Sequence, residues 1–203
     1  MKAFADLLFP DSCLGCGRIV KGGLCTECLE SQKRVGWSIT SGVFDFDESV
    51  QTYAFSGLIR QAIHRLKYKG ERSLGEVLAL PLIAELKPQD LDVVTWVPAP
   101  HQKVVERGFD HAQLLAEAAA AQTGMRCIGL LERTRDAVPQ MGLDLEQRKN
   151  NVVGVFASRI PSPDRVVLID DVYTTGATAS DAARALKERG AERVLALAIA
   201  RTP

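Results

Sequence analysis

The sequence has little that would draw it toward a polyanion or a bilayer. Its 25 basic residues are matched by 25 acidic ones and the formal net charge is zero, so no global field steers it to nucleic acid or to an anionic surface. Aromatic residues are scarce, at 6% with three tyrosines, which withholds the stacking platform and basic groove of a single-stranded DNA footprint. Binding of that kind must be local. No apolar run approaches the roughly 18 residues of a spanning helix, and residues 1–9 carry Lys2 and Asp6 and lack a signal-peptide pattern. A cytoplasmic protein without membrane insertion is expected. Histidine is rare as well, and His101 and His111 fall at a loop or a first helical turn, where a lone histidine is more often a packing or capping residue. No internal repeat or low-complexity segment is present.

What the chain does have is enough apolar matter, 46% of 203 residues, for one good core plus a small appendage. Four of its five cysteines form the appendage: Cys13, Cys16, Cys25 and Cys28, a C-x₂-C-x₈-C-x₂-C array. Each C-x₂-C pair can fold as a knuckle presenting two thiolates to one ion, and Gly15 and Gly17 allow the tight backbone around the first pair. Tetrahedral Zn²⁺ suits four thiolates. It would be structural, since no position is left for water or substrate, and it would replace the core that about thirty residues cannot supply. Two disulfides or an iron–sulfur centre are the other readings of this array, the first disfavoured in a reducing compartment. Cys127, in the apolar stretch 127–131, reads as a buried small hydrophobe.

The stretch from Val166 to Thr178 (VVLIDDVYTTGAT) carries the most chemistry. Val166 to Ile169 suit a parallel strand buried on both faces, which hands over to a helix at its carboxyl end, where ligands of open α/β sheets bind. The turn of Thr174, Thr175, Gly176, Ala177 and Thr178 offers successive N–H groups and hydroxyls at the start of a helix predicted to run to about Arg189, with Gly190 as its stop. A phosphate suits that place, because unpaired N–H groups and the helix dipole both favour an anion. Asp170 and Asp171 would repel such a ligand unless they face sugar hydroxyls or a hydrated cation, so a phosphorylated sugar with Mg²⁺ is implied. A plain capped strand-to-helix turn is the other reading. The segment resembles, position for position, the signature for 5-phosphoribosyl 1-pyrophosphate (PRPP) in type I phosphoribosyltransferases.

Elsewhere, residues 31–48 look like a linker or an irregular crossing, and the main domain is expected from Ser49. Val50 to Phe55 has strand composition, and Gly57 to Tyr68 places Leu58, Ile59, Ile63 and Leu66 on one helical face. That helix ends in Arg65, Lys67, Lys69 and Arg72, either a solvated terminus or an anion site. A helix from Ser73 to Leu86 must kink or break at Pro81. A strand over Asp92 to Val97 is stopped by Pro98-Ala99-Pro100-His101. Lys103 and Arg107 follow, and Asp110 can cap a helix running to Gln122, with Gly124 as its stop. The polar segment Glu132 to Asn151 contains Arg133, Arg135, Gln140 and Arg148, and Asp144 with Gln147 offers a capping box. It is long and charged enough to be a lid closing over an anion. Strands are expected near Leu131 and over Val152 to Ala157, Val166 to Asp170 and Val194 to Ala200.

The order of these features is similar to that of the ComF family, phosphoribosyltransferase-like proteins associated with natural competence. The resemblance covers nearly the whole chain. It rests on Leu7-Leu8-Phe9-Pro10 before the cysteines, Leu66-Lys67-Tyr68-Lys69-Gly70, Val97-Pro98-Ala99-Pro100, Arg107-Gly108-Phe109-Asp110-His111, and Arg133-Thr134-Arg135 with Gln140, Leu143, Arg148, Asn151 and Phe156. It implies an α/β, type I phosphoribosyltransferase-like fold: a mostly parallel five-stranded sheet with helices on both faces, over residues 49–203, behind a zinc module at 1–30. It also implies that Pro98 to Arg107 form the pyrophosphate loop, that 174–178 hold the 5-phosphate and that Asp170 and Asp171 hold the ribose hydroxyls. In enzymes of this class pyrophosphate leaves the anomeric carbon through an oxocarbenium-like state, and Lys103, Arg107 and Arg133 would take the catalytic, charge-stabilising role.

Two positions depart from relatives. Thr174 stands where hypoxanthine-guanine enzymes carry an acid, and Val104 and Val105 stand where basic residues often lie. The resemblance implies a PRPP-binding protein of DNA uptake, engaging single-stranded DNA or competence-machinery proteins; an active phosphoribosyltransferase of unknown acceptor is the alternative. Trp37, Phe44, Phe46 and Tyr53, near Lys33 and Arg34, are the best local candidates for DNA contact, although buried core suits most of them.

Overall fold

The computed structural model describes residues 11–39, 43–86, 90–134 and 154–202. The elements in chain order are α1 (Thr26–Glu30), β1 (Arg34–Ile39), β2 (Glu48–Ala54), α2 (Gly57–Lys69), α3 (Ser73–Ile83), β3 (Val93–Trp96), α4 (His101–Arg107), α5 (His111–Thr123), β4 (Arg126–Cys127), β5 (Leu131–Arg133), β6 (Phe156–Ser158), β7 (Arg165–Tyr173), α6 (Ala177–Lys187) and β8 (Arg193–Arg201). The main sheet has the order β1-β2-β8-β7-β3-β4. Its last five strands are mutually parallel, as the resemblance implied. To them β1 adds a sixth, antiparallel edge, pairing Arg34 with Tyr53 through Ile39 with Glu48. The span 31–48, expected as a linker, thus supplies a strand and the fully buried Phe46.

Alternation along the central strands divides the core between the two faces of the sheet. Val167, Ile169, Leu195, Leu197 and Ile199 point to one side, where α2, α3 and α5 bring Ile59, Ile63, Leu74, Leu78 and Leu115. Val166, Leu168, Val194 and Ala196 point to the other, against Ala182, Ala183 and Leu186 of α6. Both faces are covered, which is why β7 reads as a continuous apolar run and not as an alternating one. Helix α3 runs through Pro81 to Ile83, and Ala84 N–H still reaches the Leu80 carbonyl at 3.3 Å. Asp110 caps α5 as expected, accepting from Ala112 and Gln113 N–H, and Gly124 ends the helix in the left-handed region at φ 71°.

The apolar stretch 127–131 does not continue as one strand. Gly129 lies so close to Trp96 that a Cβ would stand 3.0 Å from the ring, and Leu130 N–H turns to Thr95 Oγ1. Beyond it β5 leaves the main sheet and pairs antiparallel with β6, Leu131 opposite Ser158 and Arg133 opposite Phe156. This pair forms the two feet of the segment expected as a lid. The remainder, including Arg135, Gln140, Asp144, Gln147, Arg148 and Asn151, lies outside the described residues, as do residues 1–10.

One buried acid fixes these feet. Asp181 on α6, 5% exposed, accepts the N–H groups of Gly154, Val155 and Phe156 at 2.6, 2.8 and 3.0 Å and pairs with Arg184 at 2.8 Å. The helix that starts at the Thr174–Thr178 turn therefore also carries the clamp on the returning foot. Replacing Asp181 with Ala leaves three amides without their acceptor, while Arg184 keeps its pair with Glu188. It is expected to cost about 3 kcal/mol in urea unfolding and to speed amide exchange at residues 154–156; a loss below about 1 kcal/mol would refute the clamp.

Candidate functional site

The site grows out of unequal strand lengths. β3 ends with Trp96 opposite Ile169, whereas β8 continues beside β7 to pair Asp170 with Ala198 and Tyr173 with Arg201. Asp170 and Asp171 are thus held in the ladder on one side and open to the loop after β3 on the other, the switch-point geometry of open parallel sheets. The turn 174–178 follows. Gly176, at φ +84°, begins α6 without a side-chain cap, and Thr175 Oγ1 accepts Ala177 N–H at 3.4 Å. Only glycine fits there, since a Cβ would stand 2.3 Å from the Tyr173 hydroxyl and 3.0 Å from Phe44, in a backbone region that side chains avoid. Helix α6 therefore starts with no side-chain cap on its first-turn N–H groups, a place whose chemistry suits an anion.

The two acids differ in surroundings. Asp170 is half-buried and lines the hollow under the turn with Thr174, Gly176 and Thr178. Burial and the neighbouring Asp171 charge push its carboxyl well above the usual carboxylate range. Asp171 is 4% exposed and ion-paired with Lys67 of α2, and its Oδ1 faces His111 Nε2 at 3.4 Å. Burial alone would raise its carboxyl; the His111 hydrogen bond and the Lys67 ammonium outweigh that and hold it below the usual range. Arg107 Nη1 lies 3.2 Å from His111 Nδ1. A guanidinium can only donate, so Nδ1 accepts and the neutral ring carries its proton on Nε2, toward Asp171. His111, expected to pack or cap, is the buried bridge between Arg107 and Asp171.

Residues 98–107, expected as a pyrophosphate loop, divide into a short loop and a helix. Pro98 to Pro100 form the loop and 101–107 the seven-residue α4. Asp110 Oδ2 accepts Ala99 N–H at 2.8 Å and Arg133 donates to the Pro98 carbonyl at 2.8 Å, so the loop is held from both flanks. Lys103 and Arg107, one helical turn apart, line a cleft of about 400 Å³ together with Lys67, Tyr68, Gly70, Phe109 and one acid, Glu106. Lys103 pairs with Glu106 at 2.7 Å, and the Arg107 guanidinium lies 5.0 Å from the centre of the Tyr68 ring. Arg133 is stacked 4.9 Å over Phe156 at the base of the β5–β6 pair. Of the basic cluster at the end of α2, Lys67 reaches the acids while Arg65 pairs with Glu71 at 3.3 Å. The i, i+4 spacing of Arg107 and His111 was the signal for the bridge. For Lys67 the signal was the motif Leu66-Lys67-Tyr68-Lys69-Gly70 alone.

Some distance along α2, the four cysteines come together. All four Sγ atoms of Cys13, Cys16, Cys25 and Cys28 lie within 4.8 Å of one another. Cys25 Sγ is 3.6 Å from Cys13 Sγ and 3.8 Å from Cys16 Sγ, far beyond the ~2.05 Å of a disulfide. Those separations match the ~3.8 Å edge of a tetrahedron with ~2.3 Å metal–sulfur bonds. Although burial opposes it, backbone hydrogen bonds from Cys16, Cys25 and Gly15 bring the Cys13 thiol down to about 6, and Arg18 donates to both Cys16 and Cys25. Such donors favour thiolates at Cys13 and Cys16, whereas the hydrogen bond with Cys25 pushes the Cys28 thiol up to about 12. The cluster can hold a metal ion such as zinc. It rests on the main domain: Cys13, Leu24 and Leu29 share the core with Ile59 and Leu74, and a Cβ at Gly15 would meet Cys28 Sγ at 2.8 Å and Leu58 at 3.2 Å.

No helix among the described residues is long and apolar enough to cross a membrane. No family model matches the chain. It is 28% identical over 186 residues to the competence protein ComFC of Streptococcus pneumoniae, covering 92% of this chain and 80% of that protein. It is 23% identical to competence protein F of Haemophilus influenzae, over 93% and 95%, and 28% identical to the DNA utilization protein YhgH of Escherichia coli K12, over 88% and 78%. Among solved structures, glutamine PRPP amidotransferase from B. subtilis superposes with a TM-score of 0.42 at 21% identity, over 63% of this chain and 26% of that one. Adenine phosphoribosyltransferase from Leishmania tarentolae superposes at 0.37 and 14% identity, over 79% and 94%. Strand order and connectivity, rather than these superpositions, define the fold. Over about nine-tenths of its length the chain is thus similar to competence and DNA utilisation proteins of the ComF type, the family that its motifs resemble.

Proposed function

We propose that this chain binds PRPP with Mg²⁺ at the carboxyl edge of its sheet and serves natural competence, in the cytoplasmic handling of DNA during uptake and transformation. The observation that carries the reading is the convergence of an acid at a strand tip, a glycine-started helix and a basic cleft. Asp170 lines the hollow beside Thr174, Gly176 and Thr178, and the cleft beside Asp171 is lined by Lys67, Lys103 and Arg107. In this reading the 5-phosphate takes the first-turn N–H groups of α6 and the ribose faces Asp170. The diphosphate takes the cleft. Mg²⁺, when bound, would neutralise the diphosphate, and Asp170, which lines the hollow, is the acid that would hold it. The same basic cleft supports the enzymatic alternative, in which pyrophosphate is the leaving group and Lys103 and Arg107 stabilise its charge. Arg133 then orders the Pro98 loop.

Calorimetry should detect Mg²⁺-dependent PRPP binding that Asp170→Asn weakens by about tenfold or more. A wild-type protein that takes up no PRPP overturns the reading. Release of pyrophosphate only in the presence of a particular base would establish the transferase; intact PRPP across a broad acceptor panel would refute it.

Zinc is the metal we assign to the cysteine cluster. Elemental analysis is expected to find about one zinc per chain, and Cys13→Ser to lower the unfolding temperature by several degrees because the module shares the core of α2 and α3. Metal-free folded protein of unchanged stability is the contrary result.

For single-stranded DNA, the described surface that fits best is the exposed face of α2. Arg60, His64 and Lys69 are exposed along it and line one hollow, and Tyr68, 62% exposed, lies with its ring 4.8 Å from that of His64. Phe46 and Tyr53, by contrast, are core residues, at 1% and 2% exposure. A salt-dependent gel shift of an oligonucleotide should be lost in Arg60→Ala/Lys69→Ala; a shift unaffected by that pair places DNA elsewhere.

A further inference from the structure

Asp170 and Asp171 share a strand tip but not a role. Asp170 lines the hollow under the phosphate turn. Asp171 is 4% exposed, and each of its oxygens already has a partner: Lys67 Nζ at Oδ2 and His111 Nε2 at Oδ1. Neither partner ends there. Lys67 itself lines the basic cleft, and the other ring nitrogen of His111 accepts from Arg107, a second cation of the cleft, at 3.2 Å. The Tyr68 ring lies 5.0 Å from the Arg107 guanidinium.

Resting on the PRPP reading above, we propose that Asp171 is a positioning residue. It holds Lys67 directly and Arg107 through His111, so that both face the diphosphate in the cleft, and it leaves the ribose to Asp170 alone. The physical reason is entropic. A lysine or arginine side chain loses rotamer freedom when it grips an anion, and one already fixed by a buried carboxylate has met that cost in the free protein.

The sign of one substitution decides the matter. Asp171→Asn removes a negative charge from the rim of an anion cleft, so a purely electrostatic role predicts that pyrophosphate binds more tightly. Positioning predicts the opposite: calorimetry with magnesium pyrophosphate should show binding about tenfold weaker, while ribose 5-phosphate stays within about twofold of wild type. Asp170→Asn should reverse that pattern. Lys67→Gln, which retains a donor toward Asp171, should weaken pyrophosphate alone and Lys67→Arg should restore most of it; this pair keeps the test open should Asp171→Asn unfold. Pyrophosphate bound as tightly or more tightly by Asp171→Asn, or unaffected by Lys67→Gln, overturns the positioning role and leaves the PRPP reading intact. Equal loss of both ligands in folded Asp171→Asn does the same. A wild-type protein that binds neither probe overturns both.

Discussion

A carboxylate buried at the end of a strand is stable only in company, and Asp171, 4% exposed at the tip of β7, is the one on which the site depends. Taking one partner from a buried ion pair costs about 3–5 kcal/mol. That penalty obliges the last turn of α2 to deliver Lys67 and the first turn of α5 to deliver His111 to the same point. Both helices lie on one face of the sheet, packed on Val167, Ile169 and Leu197. Their ends converge where β3 has stopped and β7 continues. The cleft between α2 and α4 is a consequence of that convergence.

Two further buried acids anchor the remaining walls. Asp110 caps α5 and at the same time takes Ala99 N–H, tying the Pro98–Pro100 loop to the helix that carries His111. Asp181 takes three successive amides of residues 154–156 and fixes the β5–β6 pair to α6, the helix that begins at the Thr174–Thr178 turn. Each of these acids accepts backbone N–H groups from a segment outside the main sheet, Ala99 for Asp110 and residues 154–156 for Asp181. This is how a structure can hold loops in place without burying them. The cysteine module lies near Leu58 of α2, and its four sulfurs, all within 4.8 Å of one another, could hold a metal ion in place of a core that so short a segment cannot build.

Much of this was legible before any coordinates. The four apolar residues of β7, the glycine that starts α6, the cap at Asp110 and the pairing of the cysteine knuckles are local features, and each is written in adjacent residues. Four of the five parallel strands, β2, β3, β7 and β8, appeared where strand composition and turn signals placed them. The misses share a cause. Residues 34–39 look irregular because an edge strand needs few apolar residues to pair, and only β2 beside it makes that segment a strand. The stretch 127–131 looks like one strand because nothing nearby in sequence announces that Trp96 will crowd Gly129. Residues 101–107 look like loop because a short helix with no buried residue lacks an apolar stripe.

By itself, the sequence determined what each segment is suited to: a strand buried on both faces, a helix start open to an anion, two thiolate knuckles, a basic helix end. Those are matters of backbone geometry and side-chain chemistry within a few residues. Tertiary structure decided which charges meet. Lys67 and Asp171 are separated by about half of the chain, and Asp110 and Asp181 likewise take amides outside their own helices. Nothing in a charge's own neighbourhood says which distant partner will neutralise it. Burial does, because a strand tip closed off from water leaves an ionised carboxylate no alternative to the nearest cation and donor that packing brings within reach.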